Sequence, residues 1–120
     1  MTNTSKQLAD KIVEAIQEKK GSRISVIDLD SIEGAICRYF IVCQGNSPMQ
    51  VEAIADSVSD MVREDLGEKP VKVIGLENAV WVAMDYTDVM VHVFVPEMRD
   101  YYSIETLWSD AEITEIADLD

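Results

Sequence analysis

Tyr39-Phe40-Ile41-Val42-Cys43-Gln44-Gly45-Asn46-Ser47-Pro48-Met49-Gln50 decides the fold. Its first five residues are all apolar, a continuous run that predicts a strand buried on both faces. The residues after it predict a helix start. Ser47 is a good N-cap, Pro48 suits the first helical position, and Gln50 completes a capping box. Val51, Ile54, Ala55, Val58, Met61 and Val62 then form one helical stripe that ends near Gly67. With Val71-Lys72-Val73 as the next strand, this is a crossover unit, expected to be right-handed.

Toward the N-terminus, Thr4 and Gln7 have capping-box spacing, and Leu8, Ile12, Ala15 and Ile16 repeat on one helical face until Gly21. Ile24 to Asp28 reads as a short strand with Ile24 and Val26 on one side, followed by a loop containing Gly34. Toward the C-terminus, Val80 to Met84 and Val89 to Val95 read as strands. The short connection Asp85-Tyr86-Thr87-Asp88 makes them an antiparallel hairpin. Pro96 opens a last helix bearing Met98, Tyr101, Tyr102, Ile104, Leu107 and Trp108. The resulting expectation is an α/β fold, a mixed five-stranded sheet covered by helices. Residues 1–108 form one domain and residues 109–120 an acidic C-terminal tail, in which Ile113, Ile116 and Leu119 at helical spacing suggest a weak helix or a frayed end.

Charge narrows the partners. The 120 residues carry 23 acids and 10 bases, a net charge of -13. Residues 73–120 hold 11 of those acids and one base, Arg99. Such a surface is repelled by phosphate backbones, so little direct nucleic-acid contact and no anionic membrane are expected. A basic protein surface suits it better, although acidity also serves solubility alone. No apolar stretch reaches membrane-spanning length, and the N-terminus lacks a leader-like apolar segment, so a soluble, cytoplasmic protein is expected. Cys37 and Cys43 read as reduced thiols.

Chemistry-bearing motifs are few. Gly45-Asn46-Ser47 before a helix could cradle a phosphate, as nucleotidyltransferases do with a Gly-x-Ser turn. Those enzymes place paired aspartates soon after the turn. Here Pro48, Met49, Gln50 and Val51 follow, and the one Asp-x-Asp, Asp28-Leu29-Asp30, precedes it. Helix capping explains Ser47 better. His92 is the only histidine, lies between Val91 and Val93, and reads as a structural, hydrogen-bonded side chain. Neither a catalytic set, a metal site nor a cofactor site is expected. Trp81 and Trp108 read as core, whereas Tyr86, between two aspartates in a turn, suits docking on a basic partner.

Three segments together resemble the Iojap-like ribosomal silencing factor family. They are Tyr39 to Ser47 followed by Gln50-Val51-x-Ala53-Ile54-Ala55-Asp56, then Trp81 to Phe94, and finally Arg99-Asp100-Tyr101-Tyr102-Ser103-Ile104-Glu105-x-Leu107-Trp108. The resemblance runs from about Leu8 to Trp108. It implies a nucleotidyltransferase-like fold without catalytic acids, and a non-enzymatic protein. That protein would bind the large ribosomal subunit at the protein called L-fourteen, block joining of the small subunit, and repress translation when nutrients are scarce. It implies a ribosomal-protein-binding set of Trp81, Asp85, Tyr86 and Asp88, and it allows a homodimer. The chain departs from the family pattern at Arg38 (usually aspartate), Met49 (arginine), Ile74 (glutamate) and Thr87 (glycine). The first three are changes at charged positions that suggest one linked polar cluster; Thr87 deprives the turn of an easy positive φ. Two rivals are a nucleotide-binding enzyme using Gly45-Asn46-Ser47 and a generic acidic adaptor.

Overall fold

The computed structural model describes residues 4–104, 106 and 110–118. Along the chain run α1 (Ser5–Glu18), β1 (Ser22–Asp28), β2 (Tyr39–Gln44), α2 (Pro48–Leu66), β3 (Lys72–Ile74), β4 (Trp81–Asp85), β5 (Val89–Phe94), α3 (Pro96–Tyr102) and β6 (Glu112–Ile116). The strands form one mixed sheet in the order β3-β4-β5-β2-β1-β6. β2 pairs parallel with β5, and the other neighbours are antiparallel. β2 and β3 therefore run the same way, with β5 and β4 between them.

The expectation of five strands is corrected to six. Glu112–Ile116, expected as a weak helix or frayed end, pairs antiparallel with β1, Ile24 opposite Ile116 and Asp28 opposite Glu112. The last helix is also shorter than expected. Ser103, the residue after Tyr102, takes a left-handed conformation (φ 45°) and caps α3. The expectations for Leu107, Trp108 and Leu119 lie outside the described residues.

Local signals explain most elements. Both capping-box bonds of α1 are present, with the Gln7 amide donating to Thr4 Oγ1 at 3.0 Å and the Thr4 amide donating to Gln7 Oε1 at 2.8 Å. All six residues of β2 are buried, as a strand second from neither edge and covered on both faces should be. Gly67 ends α2 in the left-handed region (φ 68°), accepting the role of a helix-stopping glycine.

The sheet separates two cores. On one face α1 and α2 bury Leu8, Ile12, Ile16, Val51, Ile54 and Val58 against Ile41, Cys43, Val82, Met84, Val91 and Val93. On the other, Ile27, Leu29, Phe40, Val42 and Phe94 pack beneath the 29–38 loop, α3 and Trp81, without a long helix above them.

Candidate functional site at the hairpin of β4 and β5

Alternation along β4 fixes what the hairpin shows to each side. Val82, Met84 and, one position past the strand, Tyr86 belong to the helix-covered core. Trp81, Ala83 and Asp85 point to the opposite face, where β5 adds Met90, His92 and Phe94. Of the four residues singled out from the sequence, the fold thus brings Trp81 and Asp85 onto one face. Tyr86 is elsewhere.

Trp81 is half-buried at the centre of an aromatic cluster. Its ring stacks on Phe94 at 5.0 Å between centroids and meets Tyr102 of α3 at 4.7 Å. Its Nε1–H donates to His92 Nδ1 at 2.9 Å, and the His92 imidazole lies 4.7 Å from the Phe40 ring. Burial drives the His92 pKa down to about 4. His92 is therefore a neutral acceptor that orients the indole, and a proton-transfer role at neutral pH does not suit it.

Asp85 is committed partly to the turn. Its Oδ1 accepts from the Thr87 amide at 2.7 Å, an Asx turn, and this helps hold Thr87 at φ 73°. The turn does adopt a positive φ, contrary to what threonine there suggests, at a steric cost that glycine would not carry. Asp88 is exposed at the tip. Its Oδ2 accepts from Ser5 Oγ at 3.2 Å, and its carbonyl accepts from the Arg38 and Tyr39 amides, tying the hairpin to α1 and β2.

Tyr86 departs most from its expected role. Only 4% of it is exposed, its ring packs in the helix-side core, and its buried hydroxyl has no hydrogen-bond partner among the described residues. Burial raises its pKa to about 12. The ring packs beneath the turn, in the helix-side core.

Behind Trp81, Gly75 sits at φ 91°, and a Cβ there would lie 2.0 Å from the Trp81 carbonyl oxygen. This close approach fixes the chain leading into β4. Around the face, Ile74, Leu76, Tyr101 and Tyr102 are exposed, and Glu77, Glu97 and Asp100 lie in the same segments. Arg99 is the exception among the charges here. It is buried, donates to the Arg23 carbonyl and, at 3.2 Å, to Ser25 Oγ, and so pins α3 to β1.

The Gly45-Asn46-Ser47 turn is closed by the protein itself. The Asn46 amide donates to Gln50 Oε1 at 2.6 Å, the Gln50 amide donates to Ser47 Oγ at 3.2 Å, and Gln50 Nε2 donates to the carbonyls of Lys19 and Lys20. Gln50 thus occupies the amide that a phosphate would need and ties α2 to the end of α1. Asp28 pairs with Tyr39 at the start of β2, whereas Gly45 follows its end. Six residue steps, about 20 Å, separate the level of Asp28 from the turn. Asp28 and Asp30 are instead bridged by Arg38, at 3.3 and 3.6 Å. Among the described residues, His, Cys, Asp and Glu side chains form no group suited to a metal ion.

Nor do Arg38, Met49 and Ile74 form one cluster. Arg38 and Met49 flank opposite ends of β2, and Ile74 is on the edge strand, three places away.

The sequence matches the family described as "Ribosomal silencing factor during starvation" over residues 2–120. It is 41% identical to ribosomal silencing factor RsfS of Bacillus subtilis over 106 residues, 88% of this chain and 86% of that protein. Crystal structures of two proteins resemble the fold. One is from Chromobacterium violaceum, with TM-score 0.84, 36% identity, and coverage of 89% of this chain and 88% of that one. The other is from Bacillus halodurans, with TM-score 0.79, 33% identity, and coverage of 92% and 99%.

Proposed function

The chain belongs to the ribosomal silencing factor family, whose members are ribosome-associated regulators and not enzymes, and from that premise we propose how it silences. It docks on the large-subunit protein L-fourteen through the face of the β4–β5 hairpin that carries Trp81 and Asp85, with Asp88 at the tip. Bound there, it excludes the small subunit sterically and lowers translation when nutrients are scarce.

The observation that carries this reading is the pairing of an oriented, half-buried indole with the Asp85 carboxylate on one hairpin face, beside the exposed Asp88 at the tip. A desolvated aromatic anchor ringed by charge suits a basic protein partner. The surrounding charge is one-sided, with 11 acids against one base in residues 73–120. That bias favours basic protein and disfavours the neighbouring RNA. A body of 33 × 33 × 28 Å is large enough to obstruct an interface between subunits. Tyr86 contributes from within, by fixing the turn.

The test is co-sedimentation with purified large subunits. Asp88→Lys and Trp81→Phe should each weaken retention while leaving the circular dichroism spectrum unchanged. Retention of both folded variants at wild-type levels would remove the hairpin from the contact. The enzymatic rival has little support, since Gln50 fills the turn it would use. Magnesium-dependent nucleotide binding that is lost in Ser47→Ala would revive it.

A further inference from the structure

β3 is the edge strand beside the hairpin, and its register decides which side chains it adds to the face of Trp81. Ile74 lies opposite Ala83, and Lys72 opposite Asp85. Directly opposed residues of an antiparallel pair share a sheet face. Ile74 and Lys72 therefore stand with Trp81, Ala83 and Asp85, while Val73 between them packs on the helix-covered core. Ala83 in turn faces His92 of β5, so one row, Ile74, Ala83 and His92, crosses three strands.

Ile74 ends that row at the rim, 54% exposed. A single exposed isoleucine is ordinary on a protein surface. This one continues the row beside an oriented indole. Ala83, 9% exposed, is a low floor between the longer side chains of Ile74, Trp81 and Asp85. The charges beside the row are already engaged. Lys72 opposes Asp85 on the same face, and Asp85 Oδ1 accepts from the Thr87 amide. Asp88, beyond β4 at the tip, bonds through Oδ2 to the neutral Ser5 hydroxyl. The chain that leaves α3 joins β6 at the opposite edge of the sheet, five strand spacings or about 24 Å from β3.

We infer that the ribosomal-protein partner lays an aliphatic side chain on Ile74 and Ala83, beside Trp81, and keeps its lysine or arginine for Asp88. This contact rests on the hairpin reading and gives that reading its internal order, apolar at the centre and cationic at the tip. Two features of the face choose the occupant. Ile74 is one strand spacing, about 5 Å, from β4, so a protein surface that covers the indole reaches it as well. A cation placed over the row would meet Lys72, two residues from Ile74 on the same face, before it reached Asp88. An aliphatic group meets no such repulsion and buries the exposed isoleucine.

The experiment measures the affinity of the full chain for purified large subunits, by co-sedimentation at about 0.15 M ionic strength. Ile74→Asp adds a negative charge where a basic partner approaches, so a face that worked through charge alone would bind more tightly. An aliphatic contact instead predicts binding weakened about tenfold, the loss typical of one central contact. Ile74→Thr keeps the β-branched shape suited to a strand and should weaken binding about threefold. Met49→Asp makes the same charge change at an exposed apolar residue of α2, on the helix-covered side, and should alter binding less than about twofold. Circular dichroism and urea unfolding should show each variant folded. Unchanged or tighter binding by Ile74→Asp, or an equal loss in Met49→Asp, would overturn the aliphatic contact, and a loss in Asp88→Lys alone would leave the hairpin reading standing. No loss in any variant, Asp88→Lys included, would remove the hairpin contact and this row with it. A dimer of the free protein, seen by sedimentation, that dissociates on Ile74→Asp would also overturn it, since the row would then belong to a second copy.

Discussion

Trp81 and His92 are joined diagonally across β4 and β5, the indole N–H donating to Nδ1 at 2.9 Å while the direct cross-strand partners are Trp81 with Phe94 and Ala83 with His92. The bond requires a neutral imidazole with its own hydrogen on Nε2. It makes the orientation of the proposed docking tryptophan depend on a buried histidine.

That dependence gives a pH signature. The folded His92 pKa, about 4, lies below its ordinary 6.5. Between those values the unfolded chain binds a proton that the folded chain does not. His92 therefore contributes fully above pH 6.5, and its contribution falls as pH drops toward 4, by about 3 kcal/mol in total. His92→Asn keeps an acceptor for Trp81 but cannot be protonated there. Urea unfolding of both proteins at neutral and acid pH should show the stability difference shifting by this amount in the variant's favour on acidification. A constant difference would mean that the imidazole is not protected. The carboxylates titrate in both proteins and cancel in the comparison.

Thr87 stands at φ 73°, where a β-branched side chain is strained by roughly 1–2 kcal/mol. Thr87→Gly removes that strain and adds unfolded-state entropy, so a net gain of about 0.5–1 kcal/mol is expected. A higher urea midpoint at unchanged m-value is the expected readout.

The Tyr86 hydroxyl is buried without a partner among the described residues. Tyr86→Phe should be neutral or stabilising by about 1 kcal/mol, because it deletes an unsatisfied group and keeps the ring. Binding to large subunits should be unchanged. A large loss of binding with stability intact would restore the hydroxyl to the contact.

Gly75→Ala is expected to be costly, since its Cβ would fall 2.0 Å from the Trp81 carbonyl oxygen at a residue with φ 91°. A loss of about 2 kcal/mol or more is expected in denaturant unfolding, from backbone strain and displacement together. Subunit binding should fall with it, because β4 begins at Trp81.

The sequence announces the elements with local punctuation. Thr4 and Gln7, Ser47 and Pro48, and Gly67 all do in the structure what their types suggest. β6 was hidden because Ile113 and Ile116 are three apart, as in a helix. Four of its five residues are exposed, and only pairing with β1, far away in sequence, makes it a strand. Tyr86 was misplaced because two flanking aspartates read as surface. The usable signal was the alternation Val82, Met84, Tyr86, which continues into the turn and points the ring inward. The Trp81–His92 bond follows from the hairpin register, which a connection of so few residues nearly dictates.

The most direct test of silencing is light scattering of purified large and small subunits as they join, with this protein titrated onto the large subunit beforehand. The account predicts that the scattering increase falls in proportion to added protein and is abolished near one copy per large subunit, with Asp88→Lys requiring more protein for the same effect. Undiminished joining in the presence of the folded wild-type protein would contradict it.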